Sequence, residues 1–347
     1  MIFSQNFWLT AFCLFVNGLN ITCRWAVGSI LLLEFLPAKT QSIVGGVLQA
    51  GGAMPLVIGT IISMTTHNTK WILVTLLIVN FIGLICLLGF KIVPESPAYL
   101  YSTKNYEACR EVLCKIAVTN NHEGNGEKLA QIIKKSKFEE ELSPTEEVVD
   151  QSKSKLSELF SDSTSRRNTI SLCLIMGSLI FAYYLISLSL KYLNPENIYM
   201  NSFMTSGSEI AGKLLAGPLC ICAGKKPMLF TSFGITIVGV ILLAANDPEQ
   251  STELKTSILM NLARFGASMA ISGSSIVMIM IIKTSVVSTA MGVCIFFASS
   301  TSLFAPIVAE MQLPMPMVIL SCFLCVSTVA VGLLKEETKE GDENYEK

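Results

Sequence analysis

The chain has 347 residues, a formal net charge of −1 and a mean hydropathy of +0.57. Only 15% of residues are charged, against roughly 25% in soluble domains, and a nucleic-acid binder would carry a basic surplus that is missing here. Residues 94–167 hold 24 of the 51 charged residues and the last 13 residues hold nine. The rest of the chain has too few charges to cover a water-facing surface, which excludes a cytosolic enzyme and points to a polytopic membrane protein in a lipid bilayer.

In the bilayer core a backbone must satisfy its own hydrogen bonds, so apolar runs of about 20 residues read as helices. Nine are expected, at about 8–33, 42–65, 71–93, 168–190, 198–222, 227–246, 257–282, 285–309 and 314–334. Several, such as 71–90, 168–190 and 284–309, contain no Asp, Glu, Lys or Arg. The first run lacks a basic leader and is too long for a signal peptide. With the N-terminus on the non-cytoplasmic side, 18 Lys and Arg fall on the cytoplasmic side against three opposite, the bias the positive-inside rule requires. The membrane itself, plasma or organellar (including mitochondrial), is left open.

Four regions follow: 1–93 with three helices, a charged loop at 94–167, six helices in 168–334, and a charged tail at 335–347. In the loop, 104–117 and 125–138 read as short amphipathic helices, followed by an acidic stretch that contains Glu139, Glu140, Glu141, Glu146, Glu147 and Asp150. No nucleotide-binding loop, nucleophile elbow or HExxH is present, so neither enzymatic chemistry nor a cofactor is expected. Nine of the eleven cysteines lie inside apolar runs. Cys220-x-Cys222 and Cys322-x-x-Cys325 have metal-like spacing, but a thiolate there is costly to desolvate, and they read as small hydrophobes.

An ionisable residue inside a span costs about 2.5–3.5 kcal/mol on insertion scales and needs a reason. Arg24, Glu209, Lys213 and Arg264 are such residues. Glu209 and Lys213 are four apart on one helix face. They read as a mutually neutralising structural pair. Arg264 reads as capping a carbonyl or joining Glu209. Three cations against one anion give an embedded charge of +2, which favours anionic cargo.

Several segments occur in an order that resembles the major facilitator superfamily, in its organic cation and organic anion branch. Pro94-Glu95-Ser96-Pro97-Ala98-Tyr99-Leu100 is similar to the PESPRWL that closes the family's sixth helix. Leu31-Leu32-Leu33-Glu34-Phe35 followed by Ser42-Ile43-Val44-Gly45 resembles the end of its fourth helix and the start of its fifth, where Gln49 stands at a position often held by a YQ pair. Lys70-Trp71 resembles the opening of the sixth. Gly224-Lys225-Lys226 is similar to the G-R-R turn after the eighth, Ala263-Arg264-Phe265-Gly266 to the tenth, and Glu336-Glu337-Thr338-Lys339 to a closing PETK.

The resemblance implies a major-facilitator-type bundle that starts at the fourth family helix: three helices of the N-terminal bundle plus the six-helix C-terminal bundle. It also implies a substrate cavity between bundles, with candidate contacts at Arg24, Gln49, Tyr183, Tyr184, Glu209, Lys213 and Arg264, where Glu209 would meet a substrate or a proton and Arg264 an organic anion. The implied function is transport of small organic ions by alternating access. Departures point to an alternative, a transport-inactive structural or accessory subunit of a larger complex. Leu14, Gln41, Ala98 and Ser288 stand where the family carries arginines, and Gln41 would leave Glu34 short of a partner. A second copy or another membrane subunit would cover the face the absent helices leave.

Overall fold

The computed structural model describes residues 6–36, 38–90, 94–120, 125–135, 155–189, 198–246, 253–282, 286–312 and 314–335; within these the side chains of 20–27 and a few others are not described. Every regular element among them is a helix. They are α1 (Phe7–Glu34), α2 (Ala38–Gly51), α3 (Met54–Thr66), α4 (Thr69–Phe90), α5 (Pro97–Ser102), α6 (Tyr106–Asn120), α7 (Gly126–Lys135), α8 (Lys155–Ser161), α9 (Ser163–Ser189), α10 (Ile198–Ala223), α11 (Lys225–Ala244), α12 (Glu253–Ile281), α13 (Val287–Ser302), α14 (Ala305–Ala309) and α15 (Met315–Leu333).

Local chemistry explains where these helices start and stop. Asn6 caps α1 by accepting from Trp8 N–H at 3.0 Å, and Ser96 caps α5 by accepting from Tyr99 N–H at 3.2 Å, with Pro97 at the first helical position, where its missing N–H costs nothing. Gln41 donates to Leu33 O and Leu36 O, both at 3.1 Å, and so ties α2 back to the carbonyls at the end of α1, where intrahelical donors run out. Gly224 turns the chain between α10 and α11 at φ +93°, a conformation that a Cβ resists.

Six stretches among the described residues are long and apolar enough to cross a bilayer: Thr40–Thr66, Ser163–Ser189, Lys225–Ala244, Leu254–Ile281, Val287–Ala309 and Met315–Leu333. The expected count of nine is not reached by that measure. Phe7–Leu19 and Lys70–Ile85 are apolar over shorter described lengths, and α10 carries Glu209 and Lys213. The second expected span is interrupted between α2 and α3, with Pro55 in the first turn of α3, and the eighth is interrupted between α13 and α14. In the loop, the expected helices at 104–117 and 125–138 lie at Tyr106–Asn120 and Gly126–Lys135, while α5 and α8 were not anticipated. The acidic stretch and 336–339 lie outside the described residues.

The main core is built by α9 to α15, with Ile30 and Leu33 of α1 and Leu159 of α8 joining it. Helix α12 is central and packs against α9, α10, α11 and α2, and its apolar stretch is 89% buried. Phe233, Leu172, Ile175, Leu179, Met228, Leu229 and Met278 fill the interior. Outward positions are apolar too, as at Trp8, Leu77, Phe81, Phe296 and Val329, which is the surface a lipid-facing bundle presents. Asn168 fastens the start of α9 to the end of α15, donating to Lys335 O and accepting from Lys335 N–H, each at 2.9 Å. A separate small core of Leu100, Cys109 and Val112 joins α5 to α6. Burial there pushes the Cys109 thiol up, and Arg110 offsets this in part.

Candidate functional site

The polar residues of α9, α10 and α12 converge at one point inside the core. Spacing on single helices does half of the work. Glu209 and Lys213 are one turn apart on α10, as are Tyr183 and Ser187 on α9, so each pair projects from one face. Tertiary packing does the rest. Lys213 Nζ donates to Glu209 Oε1 at 2.6 Å, and Arg264 Nη2 of α12 donates to Glu209 Oε2 at 2.9 Å. Arg264 Nη1 donates to Tyr183 O at 2.9 Å and also to the Ser187 hydroxyl. The guanidinium carbon stacks 3.6 Å from the centroid of the Tyr183 ring, a cation–π contact. The Tyr183 hydroxyl lies 3.5 Å from Glu209 Oε1. One arginine therefore ties three helices together.

All three charges are almost fully buried, with 1% exposure at Glu209, 6% at Lys213 and 3% at Arg264. A buried charge is tolerable only when paired and hydrogen-bonded. Both carboxylate oxygens of Glu209 are engaged, and both terminal nitrogens of Arg264 are engaged. Arg264 Nε and Ser268 Oγ, one turn further along α12, are buried without a hydrogen-bond partner. The described cluster holds two cations and one anion, so it keeps a residual positive charge and spare donors.

A ladder of neutral polar groups continues from the cluster along α10 and α12. Ser208 Oγ donates to Asn261 Oδ1 at 3.3 Å, Asn261 Nδ2 donates to Ser257 O at 2.8 Å, and Ser257 Oγ donates to Asn201 Oδ1 at 3.0 Å. Neither these residues nor Ser187 were expected. The signal was present in the spacing: 257, 261, 264, 268 and 272 are all polar and mark one stripe of α12.

Helix α2 reaches the cluster from the N-terminal part of the chain. A Cβ on Gly217 of α10 would collide with Ser42 O, and one on Gly46 would lie 2.9 Å from Lys213 O. Only bare backbone permits that approach. Ser42 faces Gly217 and Gly46 faces Lys213, so the two helices run antiparallel and Gln49 is level with Glu209 and Ile210. Gln49 is buried, and its Oε1 has no hydrogen-bond partner. Beyond α2, at the end of α3, His67 Nδ1 is 3.2 Å from the Tyr199 hydroxyl of α10, which lies 3.4 Å from Ser63 O.

Among the expected contacts, Tyr183, Glu209, Lys213 and Arg264 therefore meet directly, and Gln49 is level with them on the neighbouring helix. Tyr184 is half exposed and touches the group only through an edge-on contact with the Tyr183 ring at 5.6 Å. Arg24 is in α1, and its side chain lies outside the described residues.

Comparison with known proteins gives a consistent set. The model of the family described as "Sugar (and other) transporter" matches residues 1–340. Solute carrier family 22 member 6-A of Xenopus laevis is 23% identical over 342 residues, covering 96% of this chain and 58% of its own length. Solute carrier family 22 member 3 of Rattus norvegicus is 24% identical over 338 residues with the same coverage. Solute carrier family 22 member 2 of Homo sapiens is 30% identical over a shorter stretch of 135 residues. The chain thus spans somewhat under three fifths of the first two relatives. Among solved structures, the proton:xylose symporter XylE of the major facilitator superfamily, bound to 6-bromo-6-deoxy-D-glucose, superposes with a TM-score of 0.62 at 15% identity, over 87% of this chain and 65% of that one.

Proposed function

Because this chain belongs to the sugar (and other) transporter family of the major facilitator superfamily, we propose that it is a multi-pass membrane carrier that moves small organic ions by alternating access, with a preference for anions. The observation that carries the preference is the buried cluster, in which Lys213 and Arg264 face the single carboxylate of Glu209. A carboxylate or similar anion is attracted by the residual positive charge. The buried, unpartnered Arg264 Nε and Ser268 Oγ supply donors for its oxygens. Tyr183 offers an aromatic face, and Gln49 an amide from α2. Arg24 and Tyr184 complete the proposed substrate contacts.

The proposed topology has nine crossings, the six apolar stretches together with α1, α4 and α10. At 1.5 Å per residue, the 28 residues of α1 and the 26 of α10 each span about 40 Å, enough for the hydrocarbon core. In this reading residues 1–93 form a partial first bundle, 94–167 a loop on the basic side, 168–334 the six-helix bundle and 335–347 a tail. The junction of α2 with α10 is where the two bundles rock.

Uptake into vesicles reconstituted with the purified chain tests this. A small aromatic carboxylate is expected to accumulate saturably and to exceed an organic cation of equal size. Lys213→Ala leaves Glu209 paired with Arg264 and is expected to cut carboxylate uptake at least tenfold while the protein stays folded. Uptake of neither ion above protein-free vesicles would overturn the carrier reading and leave the transport-inactive subunit. Faster uptake of the cation would overturn the preference for anions.

A further inference from the structure

We propose that α7 docks along its length on the anionic surface of the bilayer, with Leu129 and Ile132 entering the acyl boundary and Lys128 and Lys135 meeting headgroup phosphates and carboxylates. The faces of α7 carry this. At 100° per residue, Gly126, Ala130 and Ile133 share one side. That side is turned to α6: Gly126 is buried, and the Ala130 carbonyl accepts the Cys114 thiol at 3.2 Å. Leu129 and Ile132 stand about a quarter turn away, 47% and 64% exposed. Lys128 and Lys135 follow on the flank beyond them, both exposed, while Glu127 and Lys134 lie on the opposite side. An aliphatic ridge thus borders a basic ridge on a helix whose third side is already packed.

The helix is also held near the membrane. Helix α5 begins at Pro97, seven residues after α4 ends at Phe90, a tether of about 24 Å at full extension. The Cys109 thiol of α6 donates to Pro97 O at 3.5 Å, and Leu100 fills the small core beneath α6. Helix α7 in turn packs on α6. Among the described residues none of Lys128, Lys134 and Lys135 is in an ion pair. Charge at one level with hydrocarbon just beneath it is what an anionic lipid surface offers. The acidic stretch 139–150 has six acids in twelve positions with only Leu142, Val148 and Val149 as aliphatic residues among them, a far thinner apolar layer than the one beneath lipid headgroups.

Hydrogen exchange of the full chain in nanodiscs tests the proposal. Amides of 126–135 are expected to exchange several-fold more slowly in discs containing phosphatidylserine than in discs of phosphatidylcholine alone. The Lys128→Glu/Lys135→Glu and Leu129→Gln/Ile132→Gln pairs are each expected to abolish that difference, with exchange in α6 and α9 unchanged as the check on folding. Lys135→Gln alone is expected to lower the bound-to-free ratio about fivefold, the factor equivalent to about 1 kcal/mol per lysine at the surface. Equal exchange in both lipids overturns the proposal, as does protection indifferent to both double substitutions. Protection already present in pure phosphatidylcholine and lost when the six acids of 139–150 become amides assigns the ridge to that acidic stretch, and overturns it too.

Discussion

The apolar stretch of α12 and the one formed by α2 and α3 have similar lengths but are packed to opposite extents. The first, Leu254–Ile281, is 89% buried and the second, Thr40–Thr66, is 17% buried, although the first is the less apolar of the two. The difference lies in what their polar groups can do alone. Thr60, Thr65 and Thr66 of α3 donate to Leu56 O at 2.8 Å, Ile61 O at 3.0 Å and Ile62 O at 2.7 Å in their own helix. They ask nothing of a neighbour: Thr65 and Thr66 are exposed, and Thr60, although buried, bonds within its own helix. Asn261 and Arg264 of α12 have more hydrogen-bonding capacity than one turn of backbone can absorb, and they must be enclosed by partners. Burial in this bundle therefore follows unmet polar capacity more closely than apolarity.

That contrast is most directly broken at Glu209. Glu209→Ala leaves Lys213 and Arg264 buried without their shared carboxylate, and a loss of about 3–5 kcal/mol is expected. It would be read as a collapse of thermal stability in mild detergent, and a variant as stable as the parent would show that the cluster does not hold α9, α10 and α12 together. Gly217→Leu comes next. The new side chain has no room against Ser42 O and Ile43 Cα, and overpacking of about 1–3 kcal/mol is expected to part α2 from α10, detectable as faster proteolysis of the N-terminal helices. Asn168→Ala removes both hydrogen bonds to Lys335. At about 1 kcal/mol each it is expected to lower the melting temperature slightly and to speed hydrogen exchange at the end of α15. Thr60→Val is the smallest, since its hydroxyl serves only its own helix. A change within about 0.5 kcal/mol is expected, and a large loss would refute the idea that α3 is self-sufficient.

Much of the site was legible before the fold was known, and the reason is specific to membranes. Charges are so rare in the spans that Glu209, Lys213 and Arg264 stand out, and the four-residue interval between the first two already places them on one face. The sequence leaves open whether Arg264 donates to a carbonyl or to Glu209; the structure gives it both acceptors. Ser187 and Asn261 give no such signal, because a serine or asparagine in a span is usually silent, bonding to its own backbone. Only the approach of a second helix distinguishes the ones that reach across.

The sequence by itself determined that the chain is a helical membrane protein, roughly where its apolar stretches run, which family it resembles, and which ionisable residues need a partner. These follow from hydropathy, charge placement and helical period, all of which act over a few turns. Only the tertiary structure decided that one carboxylate is shared between two cations from different helices, that α2 lies on α10 at Gly46 and Gly217, and that Gln41 bonds back to the carbonyls of Leu33 and Leu36. Those outcomes depend on where distant segments meet. A period of 3.6 residues fixes the face from which a side chain leaves its helix, and packing alone fixes what waits opposite.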